Sequence, residues 1–276
     1  ITTVQDNTWY RKPIDVLKEL KQNGELTCRF SCWSRDEVPF TESWVSAADF
    51  DEDWFHPGPR KLFFDGAFSS HSAWLFDEYV DEPGNFGSGK SADEIYKMLA
   101  PHIRRRRQVA CHAIGDRAVH EFCIAVERLA SKYPWTKDLR IRIEHGQLIR
   151  EDDIRRIADL GMLACAQASA LGDPEKDLRL LGPERTQTVY PHRSLLDSGA
   201  RLSFGSDYPG EPFYEPLRGI DLAVNRDSKE RITVEEALAC YTRESAYAQR
   251  RESSKGSITP SKLADFVILS DDPLSI

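Results

Sequence analysis

The sequence predicts a parallel (β/α) barrel, and three observations carry that expectation. Short apolar runs of strand character alternate with helix-length segments along most of the chain, which is the pattern of a parallel α/β fold. Four residues able to bind or bridge a metal, Lys61, His112, His145 and Asp207, stand at or near the ends of four of those runs: RKLFFDG (60–66), QVACHAIGD (108–116), RIRIEHGQ (140–147) and RLSFGSDYP (201–209). Their spacing fits whole units. A barrel spends ~250 residues on eight units, about 31 each. The 33-residue step from His112 to His145 is one unit, and the 62-residue step on to Asp207 is two, with GMLACAQ (161–167) as the strand between. The right-handed crossover rule leaves a barrel or a doubly wound sheet, and ligand-type residues on four strands favour the barrel, whose sites lie at the C-terminal strand ends.

In chain order, strands are expected at 1–5, 26–32, 60–65, 108–112, 140–145, 161–167 and 201–206. The chain begins with Ile, and ITTVQD already reads as the interior of a strand, so another strand is expected upstream of Ile1. The expectation is therefore a TIM (β/α)8-type barrel lacking its first strand, because seven strands alone leave two unpaired edges. Residues 1–250 are assigned to strands two to eight of this barrel.

Helices are signalled between the strands. Ser91 with Glu94 and Thr233 with Glu236 form capping-box patterns at the starts of SADEIYKMLA and TVEEALACYTRESAYAQRR. From Asp116 to Lys132, Val119, Phe122, Cys123, Val126 and Leu129 share one stripe. A further helix is expected from Glu151 to Leu160, closed by Gly161. In the tail, 251–276, a turn precedes the apolar run Phe266 to Leu269, which does not fit the barrel count and reads as the returning strand of a small β-domain. The 66–90 segment is too long for a routine connection and rich in aromatics, Gly and Ser. Because it follows the Lys61 strand, it reads as a substrate-facing cover, with His71, Trp74, Phe76 and Tyr79 toward the site and His71 and Trp74 as candidate substrate-binding residues.

Composition narrows the partners. With 276 residues, 40% hydrophobic and 30% charged, the chain is of ordinary globular make-up. A net charge of −8 argues against a nucleic-acid partner, and Arg104 to Arg107, the one basic run, reads as a solvated helix end. No run approaches the ~18 apolar residues of a membrane span. The six cysteines show no CxxC pair, and Cys28, Cys32, Cys111 and Cys165 fall in expected strands as small buried thiols. A cytoplasmic setting follows. The expected partner is a small molecule, with a homo-oligomer left open.

The chemistry of the four residues points to a divalent metal, zinc above all. Neutral imidazole and carboxylate suit such ions, and a catalytic site keeps a place for water. His112 and His145 supply the imidazoles. Asp207 supplies the carboxylate and is the candidate catalytic proton shuttle. Strand alternation puts Ser203 and Gly205 on the same side as Asp207, leaving room for an ion beneath it. Lys61 can join only as a carbamate, and the bare sequence favours an ordinary ion-paired lysine over that reading. The remaining histidines, 56, 71, 102, 120 and 192, fall in expected loops or helix surfaces and, His71 apart, read as solvated.

HAIGDRAV (112–119), RIEHGQ (142–147), SLLDSGARLSFGSDYP (194–209), the EEALACYT helix and GSITPSKLADFVIL together resemble the YtcJ-like branch of the metal-dependent amidohydrolase superfamily. The likeness spans nearly the whole chain. It implies a TIM barrel with a small β-sandwich domain, one or two divalent metals and hydrolysis of a carbon–nitrogen bond in an amide-like substrate. It assigns Lys61 as the lysine the family carbamylates, His112 and His145 as ligands of strands five and six, and Asp207 as the strand-eight aspartate that binds metal and moves protons. One departure stands out. The family's strand-one His-x-His pair has no counterpart among these 276 residues, which marks the chain as an expected fragment of a longer amidohydrolase. The competing expectation is a barrel that has lost catalysis and serves in binding or structure. Cleavage of a phosphotriester or lactone at the same site is a weaker third.

Overall fold

Seven strands form, all parallel and paired in sequence order: β1 (Thr3–Asp6), β2 (Arg29–Arg35), β3 (Phe55–Phe63), β4 (Val109–Ala113), β5 (Arg142–His145), β6 (Leu163–Gln167) and β7 (Arg201–Gly205). The computed structural model describes residues 1–7, 11–35 and 50–275. Strand alternation sorts the side chains. Leu62, Phe64, Val109, Cys111, Ile143, Leu202 and Phe204 join one large apolar core with the helices that cover the sheet. Lys61, His112, Arg142, Glu144, Cys165 and Ser203 have the opposite parity and line the other face.

That inner face is closed by curvature. Arg142 on β5 hydrogen-bonds the Gln5 side chain on β1, and its guanidinium lies 4.5 Å from the Trp33 ring centroid on β2. In a flat sheet, strands four places apart stand roughly 19 Å from one another, at about 4.8 Å per step. The sheet is therefore curled as a barrel wall, with β1 and β7 as its ends among the described residues.

The four expected helical segments are present, the last of them broken at Thr242 into two helices, and four further helices join them among the described residues. They are α1 (Arg11–Gln22), α2 (Ala92–Arg104), α3 (Asp116–Lys132), α4 (Glu151–Asp159), α5 (Pro174–Arg185), α6 (His192–Asp197), α7 (Pro216–Asn225), α8 (Val234–Tyr241) and α9 (Arg243–Ala248). Both capping boxes form, at Ser91/Glu94 and Thr233/Glu236. The α3 stripe is fully buried, with Phe122 edge-on to Phe64 at 4.8 Å. Gly161 takes φ 64 after α4, the left-handed stop that glycine makes cheaply. Among the described residues no helix is long and apolar enough to cross a membrane, and all six cysteines are free thiols.

Three expectations need correction. β2 lies three residues later than expected, and β3 starts at Phe55, running through His-Pro-Gly-Pro before Arg60. Prolines that normally break a ladder are tolerated here because the β2–β3 register shifts between Cys32 and Ser34, while Gly58 lets the Trp33 ring approach to where a Cβ would sit. The Phe266–Leu269 run forms no ladder with any described residue, and Phe266, Val267 and Ile268 are exposed. A strand needs a paired neighbour, and none of the described residues pairs with this run.

The third correction concerns Tyr79, expected to face the site: 66–90 is a packed segment whose own core encloses it. Phe68, Ala73, Leu75 and Tyr79 are buried together with Ile114, Leu148 and Leu180. The Tyr79 hydroxyl donates to the Ala73 carbonyl at 3.0 Å. The segment also caps α3, whose N-cap, Gly115, offers no side chain. Its free amides of Arg117 and Ala118 donate to the Trp74 carbonyl, and Asp116 accepts from the Phe76 amide. A Cβ on Gly115 would lie 2.1 Å from the Trp74 oxygen. Gly115→Ala should therefore cost about 2–3 kcal/mol in urea unfolding, since backbone rather than a flexible side chain must move. An unchanged midpoint would show that the segment is loosely held.

Candidate functional site

His112 and His145 come together at the C-terminal ends of adjacent strands, and Lys61 and Asp207 lie within electrostatic reach of one another. Lys61 and His112 sit on neighbouring strands with Lys61 paired to Ala110 and Phe63 to His112, while His145 pairs with Ala113. The imidazole rings of His112 and His145 lie 4.3 Å apart, centroid to centroid, inclined at 63°. By strand parity His145 belongs with Ile143 on the outer face, but its φ of 81° breaks the alternation at the strand end and re-aims the ring. Asp207, two residues beyond β7, is likewise left-handed, at φ 55°. The Lys61 ammonium lies 4.9 Å from the Phe63 ring centroid.

Electrostatics record the convergence. Burial pushes His112 down to about 4, with the Lys61 charge acting in the same direction. Burial, then His112 and Lys61, hold His145 well below its ordinary value. Both rings are thus neutral at pH 7, the form that donates to a metal. Burial lowers Lys61, opposed by Glu144 and Asp207, and burial raises Asp207, opposed by Lys61. A buried amine with a lowered pKa has more of the neutral form that reacts with carbon dioxide.

The residues present fit a divalent ion as a partial donor set. Two neutral imidazoles stand edge to face with a lysine and a carboxylate within electrostatic reach. Among the described residues, however, no group of three His, Cys, Asp or Glu side chains is close enough to hold an ion by itself. Lys61, carbamylated, is the residue that would extend the set.

Several site residues escaped the sequence reading. Asp65, at the end of the β3 run, has a fully buried side chain that accepts from the amides of Ile114 (3.0 Å), Gly115 (2.9 Å) and Trp74 (3.0 Å). Burial carries its pKa up to about 7, with those three amides pulling the other way. Its signal was an acidic residue directly after an apolar strand. Arg142 and Glu144 form a buried ion pair at 2.7 Å on the inner face, two residues apart on β5. Gln167, at the end of β6, adjoins His145. Of the cover residues, His71 spends Nε2 on Asp81 at 2.9 Å and packs on Tyr79. The Trp74 ring rests on Gly89 with Arg117 4.5 Å from its centroid. Both have duties within the segment.

His56, His102 and His192 are buried, not solvated as expected. His192 opens α6 behind Phe204, and neither ring nitrogen has a hydrogen-bond partner among the described residues. Burial, then Arg226, pushes it down to about 3. The unfolded chain takes up this proton below pH 6.5 whereas the folded chain resists to about pH 3, so stability falls as pH drops through that window. His192→Leu should remove about 2 kcal/mol of the stability difference between pH 7 and pH 5. Equal pH sensitivity of the two proteins in urea unfolding would contradict this.

Comparison with known proteins bears on what such a site does. The Amidohydrolase family Amidohydro_3 matches residues 1–276. The chain belongs to the amidohydrolase family. It is 33% identical over 232 residues to the putative amidohydrolase YtcJ of Bacillus subtilis (strain 168), covering 79% of this chain and 43% of that protein. Protein LONG AFTER FAR-RED 3 of Arabidopsis thaliana is 34% identical over 230 residues, covering 79% and 39%. The N-substituted formamide deformylase of Arthrobacter pascens is 30% identical over 229 residues, covering 79% and 41%. Among solved structures, an uncharacterized metal-dependent hydrolase from Pyrococcus furiosus superposes with a TM-score of 0.81 at 30% identity, covering 99% of this chain and 56% of that one. The matched region is thus about two fifths of the curated relatives' length and little more than half of the solved one's.

Proposed function

We propose that this chain carries a metal-dependent hydrolase site acting on a carbon–nitrogen bond of amide type. The observation that carries the reading is the pair of neutral imidazoles, His112 and His145, 4.3 Å apart at adjacent strand ends beside Lys61 and Asp207. Membership of the amidohydrolase family supports it, as does likeness to a deformylase of N-substituted formamides.

A divalent ion, zinc for an imidazole-rich set, supplies Lewis acidity and activates water at neutral pH. The chain's residues do the rest. His112 and His145 hold the ion, with Lys61 as carbamate: the amine adds to carbon dioxide, loses one proton and gains a carboxylate. Asp207 takes a proton from the attacking water and returns it to the leaving nitrogen. Its raised affinity for that proton, set by burial, suits a group that must both accept and release. His71 and Trp74 hold the shape of the 66–90 wall, against which an amide-like substrate would lie. The six free thiols support a reducing, cytoplasmic setting.

Elemental analysis after zinc loading and dialysis should find about one equivalent per chain, and His145→Ala should lose it. Hydrolysis of N-substituted formamides by the loaded protein, absent in that variant, supports the reading. A stably folded chain that takes up no zinc sinks it.

A further inference from the structure

We infer that Arg117 and Arg150 form an anion-binding platform with Phe76 at the rim of the barrel, which holds the charged arm of a carboxylate- or phosphate-bearing amide. The inference rests on the hydrolase reading and deepens it by naming a substrate class.

The sequence spaces the two arginines alike. Arg117 follows His112 by five residues and Arg150 follows His145 by five, so two neighbouring β/α units each carry an arginine just past their histidine. Both stand on the C-terminal face of the sheet, Arg117 in the first turn of α3 and Arg150 as the N-cap of α4. Phe76 joins them. Its ring centroid is 5.7 Å from the Arg117 guanidinium carbon and 4.7 Å from that of Arg150, and the Trp74 ring meets Arg117 again at 4.5 Å. Aromatic contact uses the face of a guanidinium and leaves the N–H groups in its plane free to donate.

Those donors are unspent. Neither arginine has an ion pair or a side-chain hydrogen bond among the described residues, and Arg117 Nε is buried without a partner. The acidic side chains of the same two helix starts are engaged elsewhere. Asp116 accepts from the amides of Phe76 and Arg117, Glu151 and Asp152 pair with Arg155, and Asp153 binds His120 and Arg156. Two unpaired guanidinium groups on one ring are a notable feature in a chain of net charge −8. The paired oxygens of a carboxylate or phosphate match the guanidinium fork, and two forks can share one such group.

Nitrogen-15 NMR of the guanidinium groups tests the platform apart from catalysis, with the metal-free protein titrated by acetate and by inorganic phosphate at low ionic strength. The Arg117 Nε–H signal should shift saturably, and the anion that binds more tightly identifies the charged group. Arg150→Glu should abolish the shift. No saturable shift with either anion overturns the inference. Kinetics of the zinc-loaded chain then read the substrate class, using two N-alkyl formamides whose arm ends in the preferred anion or in a neutral carboxamide. The charged formamide should have the higher kcat/KM, and Arg150→Gln should cut that preference about tenfold, chiefly through KM. Equal kcat/KM in the wild type, or a preference unchanged in Arg150→Glu, also overturns it. Arg150 is exposed, so both variants should keep the fold. A saturable shift in a chain that hydrolyses neither formamide contradicts the hydrolase reading and leaves the platform standing.

Discussion

Replacing Asp207 by Asn is expected to lower kcat on an amide-type substrate by about 10²–10⁴-fold, the usual worth of a positioned proton-transfer group. At saturating zinc KM should change by only a few-fold, because the amide keeps the shape of the carboxylate and an oxygen for the ion, while it cannot take and return a proton. Asp207 sits on the left-handed turn after β7, under the field of Lys61, with small residues at Ser203 and Gly205 beneath it. Steady-state kinetics on the zinc-loaded protein decide the matter. A variant within tenfold of the wild type would move the proton-transfer role to another residue.

Glu144→Ala is expected to destabilise the fold by about 3–5 kcal/mol, the cost of leaving a buried charge without its partner. Arg142 is 3% exposed and gives Glu144 two hydrogen bonds, of 2.7 and 3.3 Å, inside the curled sheet. The Gln5 side chain, which also accepts from Arg142, is neutral and does not replace the carboxylate. The cause can be checked with a second protein. Arg142→Met combined with Glu144→Met removes both charges and should be markedly more stable than Glu144→Ala alone. If the double variant is the less stable of the two, packing rather than charge explains the loss.

The barrel strands were legible because parallel strands buried on both faces give continuous apolar runs, and the unit length recurs. Helix starts were legible at Ser91 and Thr233, where a capping box is written into four consecutive residues. What sequence could not supply was partnership over distance. Phe55 to Pro59 reads as a turn until the shifted β2 register and the Trp33 ring over Gly58 are seen. Loop composition in 66–90 gave no sign that the Trp74 carbonyl caps α3. The same limit governed the site. Lys61, His112, His145 and Asp207 could be placed at strand ends by counting, but Asp65 acts through amides 49 and 50 positions away. His192 looked solvated because a histidine after a proline carries no mark of the Phe204 ring that covers it.

The central claim is that His112 and His145 share one divalent ion with Lys61 and Asp207. X-ray absorption at the zinc edge of the loaded chain tests it most directly. The predicted spectrum shows two imidazole nitrogens with the remaining shell made of oxygen, and one imidazole is lost in His145→Ala. A shell containing sulfur, or one unchanged in that variant, would contradict it.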